Sequence, residues 1–166
     1  GYTDFINHFW YQRPITIPQE WSGKNILLNF GAVYYKSEVY IDGVLANRHF
    51  GGTSSFAVDI TSLVKPGQTH SLVVYVESNV RGAKQAAGKQ NLQYASYGCN
   101  YTRTTGIWQT VWMEIVPVNY IEQIFYHTDY DQGLVHLKVL TQHSAPVECV
   151  ISGKDMEPVC INGMTN

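Results

Sequence analysis

Ser37–Phe50 reads SEVYIDGVLANRHF, and one dipeptide in it decides how the rest is read. Asp42-Gly43 supplies two residues that tolerate the positive φ of a two-residue type I′ turn, and Val39, Ile41 and Val44 flank it. That combination predicts a β-hairpin. Working outward, the same texture recurs. Trp10 to Ile17 is a strand stopped by Pro18, which cannot donate to a ladder. Asn25 to Val33 (NILLNFGAV) is a second strand, and Ser55 to Ile60 alternates with Phe56, Val58 and Ile60 on one face. In DITSLVKPG, Asp59 or Thr61 caps a single helical turn, and Pro66-Gly67 closes it as a tight turn. Leu72 to Val76 and Val111 to Val116 are further strands. Helical periodicity is nearly absent, so the fold class is all-β.

The totals agree. At 166 residues the chain holds one domain or a little more, with 45% hydrophobic and 14% charged residues against a usual ~25% charged. Twelve Tyr, six Phe and four Trp suit a packed β protein and argue against disorder. A net charge of −2 leaves no electrostatic footprint for nucleic acid or an anionic membrane. No apolar run approaches the ~20 residues of a spanning helix, and no secretory leader is present. The missing start methionine is read as a trimmed N-terminus. Cys99, Cys149 and Cys160 make no metal-type spacing. A Cys149–Cys160 bridge is conceivable, but three unpaired, mostly buried thiols is the preferred reading. The six histidines likewise lack ligand spacing and are read as surface or satisfied core residues. No metal or cofactor is called for.

One long irregular segment, roughly 78–106, separates the last two strands of the first domain. Loops of this length in a compact domain are functional or disordered. From Ser78 to Met113 it carries no acid, while Arg81, Lys84, Lys89 and Arg103 are cationic. It is read either as a solvated loop or as one facing an acidic surface or anionic ligand. After Pro117 a new hairpin is predicted, Ile121 to Tyr126 and Leu134 to Leu140, then one more strand in APVECVISG, before a polar end. That is too little for an independent sandwich.

Trp10-Tyr11 with Ile17-Pro18, Trp21-x-Gly23-Lys24, LLNFGAV at 27–33, VYIDG at 39–43 and FAVDITSLVKPG at 56–67 carry a family resemblance. Together with YTRTTGIWQTVWMEIVP at 101–117, they resemble the N-terminal sugar-binding domain of glycoside hydrolase family 2, which includes β-galactosidases, β-glucuronidases and β-mannosidases. The resemblance implies a jelly-roll (galactose-binding-like) β-sandwich over 1–118. It implies that 119–166 begins a truncated immunoglobulin-like sandwich, and that a (β/α)8 barrel with the catalytic carboxylates lies outside these residues. It therefore implies no catalytic residue in this chain, whose role is to brace the barrel and lend a loop to a β-glycoside pocket. The alternative is a stand-alone carbohydrate-binding module. Strands in 119–160 are expected to pair with a second copy, and the parent enzyme is expected to be bacterial and periplasmic or secreted.

Four residues are singled out as sugar contacts: Asn100, Tyr101, Arg103 and Trp108. The resemblance places an acidic, sugar-touching residue at the position of Asn100. An amide still donates and accepts for hydroxyls, but it brings no charge, so galactose or sodium binding is not carried over. The alternative reading of Asn100 is a turn former. Arg103 either recognises an anionic sugar with Arg81, Lys84 and Lys89, or pairs structurally with Glu114 or a barrel acid. Trp108 and Trp112, four apart in one strand, share a face. They then pack the core, or one ring lies at the rim and stacks on a sugar. Thr102, Thr104 and Thr105 are read as strand formers.

Overall fold

The computed structural model describes residues 4–82 and 84–165, which fall into two compact units, Gly1–Ile115 and Val116–Asn166. The first contains β1 (His8–Thr16), β2 (Asn25–Phe30), β3 (Val33–Tyr34), β4 (Lys36–Ile41), β5 (Val44–Phe50), β6 (Phe56–Asp59), β7 (Thr69–Glu77), β8 (Gly106–Ile107) and β9, which runs Val111–Val116 across the unit boundary. They form a four-stranded sheet β1-β7-β4-β5, a three-stranded sheet β6-β2-β9 and the short pair β3-β8. The inward residues of both larger sheets make one core. Ile15, Val39, Ile41, Leu72, Val74 and Val76 come from the first, and Ile26, Leu28, Phe30 and Val58 from the second. This is a β-sandwich, and the period-2 burial of β7 (eight alternating positions from His70) shows the alternation that built it.

The hairpin read from Asp42-Gly43 is present. Asp42 has φ 49° and Gly43 φ 81°, and β4 pairs antiparallel with β5 across them. The turn is also latched to β7. Asp42 accepts the Ser71 amide at 2.7 Å, and its other oxygen lies 2.6 Å from Nδ1 of buried His70. The Lys65 amide donates to Nε2 of His70 at 2.9 Å, so the ring proton sits on Nδ1 and is given to Asp42. The single turn after β6 is a 3-10 helix over Thr61–Leu63, and the Asp59 carboxylate accepts from the Thr61 amide at 2.9 Å. The run expected as one strand to Val33 breaks after Phe30, where the Gly31 amide turns to the Thr110 carbonyl at 2.9 Å and β3 pairs with β8 instead.

The second unit consists of two antiparallel hairpins, β10 (Ile121–Asp129) with β11 (Leu134–Thr141), and β12 (Pro146–Gly153) with β13 (Met156–Met164). The strand β13 replaces the expected polar end. It hides in sequence because Pro158 interrupts the run, and the structure accommodates that proline where the register shifts between Ile151 and Gly153. For the cysteines, the preferred reading of unpaired thiols stands, while the bridge alternative and the expected burial do not. Cys149 faces Ile161 while Cys160 faces Val150, so the two thiols lie on opposite sides of the hairpin and cannot bridge. All three thiols are free, and Cys99 and Cys160 are exposed rather than buried.

Candidate functional site

Loop 78–105 is ordered by amides rather than by apolar packing. Asn91 is fully buried: its Oδ1 accepts the Gln93 amide at 2.7 Å, its Nδ2 donates to the Ala95 carbonyl, and its own amide donates to the Tyr101 carbonyl at 2.8 Å. The Tyr101 amide in turn donates to the Lys89 carbonyl at 2.8 Å, which clips the two arms of the loop together. Gln85 accepts the Asn79 amide at 2.9 Å and donates to Ser78 Oγ at 3.2 Å, while Gln90 accepts the Thr104 amide at 2.9 Å. Both glutamines also reach the buried Tyr34 hydroxyl. Desolvation raises that hydroxyl above the usual tyrosine value, and the hydrogen bonds from Gln90 and Gln85 oppose the rise. A buried polar hub of this kind is stable only when its members are satisfied.

Tyr34 is held from its other side by Gly52. A Cβ built at Gly52 would lie 1.9 Å from the Tyr34 ring, so only glycine admits the ring there. The Gly52 carbonyl accepts the indole N–H of Trp108 at 2.8 Å.

Each residue singled out from sequence can now be placed. Asn100 closes a four-residue turn, donating its amide to the Tyr97 carbonyl at 2.9 Å and accepting the Tyr97 amide at 3.3 Å. Tyr101 projects its ring outward, 62% exposed, with Lys89 Nζ 6.0 Å from the ring centre. Arg103 lies over Phe5, its guanidinium carbon 3.8 Å from the ring centre, and donates through Nη1 to the Gln93 carbonyl. It does not pair with Glu114, whose carboxylate instead accepts Asn29 Nδ2 at 3.0 Å. Among the described residues Arg103 Nη2 is buried and without a hydrogen-bond partner. Arg81 covers the same Phe5 ring at 4.4 Å, and Tyr94 meets it edge-on at 4.9 Å. Two guanidinium groups thus share one aromatic ring, an arrangement that cation–π attraction supports.

The two tryptophans do not share a strand face. The chain leaves β8 after Ile107 and re-enters the sheet at Val111, so spacing by four carries no facing rule. Neither ring is core: Trp108 and Trp112 are each 43% exposed, and β9 sends Val111 and Met113 inward instead. Thr102, Thr104 and Thr105 also lie outside any strand. The structure therefore gathers Asn100, Tyr101 and Arg103 on one loop. Trp108 lies outside that loop segment, its indole N–H held by Gly52 beside Tyr34. A cleft of about 620 Å³ lies elsewhere, between β1 and β9, and is walled largely by core side chains such as Ile15, Leu28, Phe30 and Val74. Among the described residues no group of three or more His, Cys, Asp or Glu side chains is placed to hold a metal.

A family model described as "Glycosyl hydrolase 2 galactose-binding domain-like" matches residues 5–113. The chain belongs to that family. It is 27% identical to the β-glucuronidase of Canis lupus familiaris, over 84% of this chain and 24% of that protein. It is also 27% identical to the β-galactosidase of Thermoanaerobacter pseudethanolicus, over 76% of this chain and 16% of that protein. The apo structure of Ruminococcus gnavus β-glucuronidase superposes with a TM-score of 0.72 and 26% identity, covering 96% of this chain and 29% of that one. The chain thus spans about a quarter of the length of the mammalian β-glucuronidases it matches. Within this family domain, sequence reasoning missed Phe5, Tyr34, Gly52 and the amide hub. One signal was available: Gln85, Gln90 and Asn91 are amides in a loop with few aliphatic residues, where a polar hub is the natural way to order backbone.

Proposed function

We propose that this chain is the non-catalytic β-sandwich portion of a family 2 glycoside hydrolase of β-glucuronidase or β-galactosidase type. On this reading the reacting carboxylates stand on a (β/α)8 barrel in the rest of the full-length protein, and loop 78–105 forms part of the lip of its sugar pocket. The observation that carries the reading is the loop itself. It has no acid, it is clipped into one conformation by Asn91, and it holds Arg81 and Arg103 on Phe5 with one guanidinium nitrogen unsatisfied. A rigid, cationic lip matches a uronic acid better than a neutral hexose, because a guanidinium accepts a carboxylate through paired charge-assisted hydrogen bonds. Asn100 and Tyr101 add an amide and an exposed phenol for hydroxyls, and Trp108 offers a half-exposed indole face. The same reading assigns the strands of 119–160 to pairing with a second copy, which light scattering of the full-length protein checks.

The test is made on the full-length enzyme. Arg103→Ala is expected to lower kcat/KM for an aryl glucuronide about ten-fold or more, and to change that for an aryl galactoside much less. Equal losses on both substrates would remove the carboxylate-facing role, and no loss on either would remove the loop from the pocket altogether.

A further inference from the structure

The outer face of the sheet β1-β7-β4-β5 carries a feature that the loop reading does not use. Trp10 points away from the core on β1 and is 66% exposed. It heads a straight row across all four strands, because Trp10 pairs with Tyr75, Tyr75 with Glu38, and Glu38 with Arg48. The Trp10 ring lies 4.7 Å from Tyr75 and 6.4 Å from Tyr40 in the neighbouring row. Both tyrosines are tied down by their hydroxyls. Tyr75 shares a 2.6 Å hydrogen bond with His8 Nδ1, and Tyr40 donates to the Glu38 carboxylate. Glu38 also accepts Arg48 Nε at 3.0 Å, and these two partners hold its carboxyl below the usual range.

A large aromatic surface left in water forgoes the stabilisation that burial gives, about 25 cal/mol per Å². Here Trp10 is left there against two half-buried tyrosine rings that their hydroxyls hold in place, which is how a stacking surface is pre-organised. What would occupy it follows from the surroundings. The charges on the face neutralise one another, Glu38 with Arg48 and Glu77 with Lys36 at 3.3 Å, so it attracts neither anions nor cations. Gln12, two residues along β1 from Trp10, borders the rings and donates to Ser71 Oγ at 3.3 Å. A stable protein interface needs roughly 800 Å² per partner with an apolar centre, and Trp10 with two half-buried tyrosines, parted from exposed Phe50 by the Lys36–Glu77 and Glu38–Arg48 ion pairs, is too narrow for that. A flat, uncharged molecule with apolar C–H faces and hydroxyl edges fits both the rings and the rim.

We propose that this face is a carbohydrate-binding platform, on which a neutral oligosaccharide stacks its pyranose rings on Trp10 and Tyr75 while Gln12 and the terminal amino groups of Arg48 take its hydroxyls. Adjacent strands are spaced about 4.8 Å apart, so the row from Trp10 to Arg48 spans on the order of 14 Å, enough for a short chain rather than a single ring. None of these residues belongs to loop 78–105, so the platform stands or falls independently of the loop's role. On a full-length hydrolase it would hold a polymer near the pocket without touching the bond that is cut.

The experiment is calorimetric titration of the protein with neutral β-linked gluco- and galacto-oligosaccharides, with oligogalacturonate as the anionic comparison. Saturable binding of a neutral oligosaccharide is expected, weakened about ten-fold or more in Trp10→Ala, largely kept in Trp10→Phe and unchanged in Trp112→Ala. Trp10 is on the surface, so the alanine variant keeps its fold, which circular dichroism verifies. The proposal is overturned by the absence of binding to every neutral oligosaccharide, by binding that Trp10→Ala leaves intact, or by preference for the anionic ligand. It is equally overturned if the face proves to be a self-association surface, seen as a dimer in sedimentation that Trp10→Ala dissolves.

Discussion

The two units are made of the same material and differ in what they bury. Both are ladders of alternating strands, and β10–β13 are as long as β1 and β7. In the first unit the inward rows of two sheets meet, and Phe30, Val39, Val74 and Val76 lose essentially all contact with water. In the second, one face of each hairpin is equally apolar: Ile124, Tyr126, Leu137 and Val139 on one, Cys149, Ile151, Val159 and Ile161 on the other. These rows remain exposed or half-buried, and among the described residues of that unit the buried one is polar, Thr165. Its hydroxyl meets Thr141 Oγ1 at 2.6 Å and accepts the Ala145 amide at 2.9 Å, lacing the ends of the hairpins by hydrogen bonds. Alternation therefore specifies strands and register, whereas a core needs a second layer of matching area.

That contrast can be broken in several ways. Phe30→Ala removes a fully buried ring stacked at 4.7 Å on Phe56 and is expected to cost about 3–5 kcal/mol, measured by urea denaturation. Gly52→Ala drives a methyl into the Tyr34 ring. It is expected to cost about 1–3 kcal/mol and to speed amide exchange across Gln85–Tyr101, which a purely local clash would not do. Asn91→Ala leaves the Gln93 amide and the Ala95 carbonyl without their partner, at about 1–3 kcal/mol, and limited proteolysis should then cut within the loop before the sandwich unfolds.

Acid tests the hairpin latch. The hydrogen bond from His70, then that from the Ser71 amide, hold the Asp42 carboxyl below its ordinary value of 3.8. A depressed folded value means the stabilisation is complete above about pH 4 and is lost as pH falls through the folded value. Asp42→Asn is expected to flatten that part of a melting-temperature profile; an unchanged profile would show that the latch contributes nothing. The smallest effect belongs to the open unit. Ile161→Ala should cost under about 0.5 kcal/mol, and a cost near that of Phe30→Ala would mean that its row is covered after all.

Much of the sandwich was legible because local chemistry and fold agree along it. Asp42-Gly43 demanded a turn, Pro66-Gly67 closed another, and Phe56, Val58 and Ile60 showed which face was inner. Legibility failed where partners are remote. The break after Phe30 depends on Thr110, and the placement of Trp108 depends on Gly52, two contacts that no local window contains. It failed again at β13, where a proline tolerated by a bulge reads as a strand breaker. At the candidate site, the loop and its charge pattern were visible in sequence. The pairing of Arg103 with Phe5 was not, because that ring lies far upstream and cation–π contacts leave no periodic trace.

The placement of Cys149 and Cys160 on opposite sides of one ribbon has a practical consequence. Oxidation cannot close a ring within the hairpin, so any covalent dimer formed in air must join two molecules. The Glu148 carboxylate, 2.9 Å from Cys160 Sγ, keeps that thiol protonated and sluggish. Of the three thiols, Cys99, exposed near the tip of the loop, is then the one through which purified protein would cross-link on storage, and replacing it with serine should weaken the extra band on a non-reducing gel.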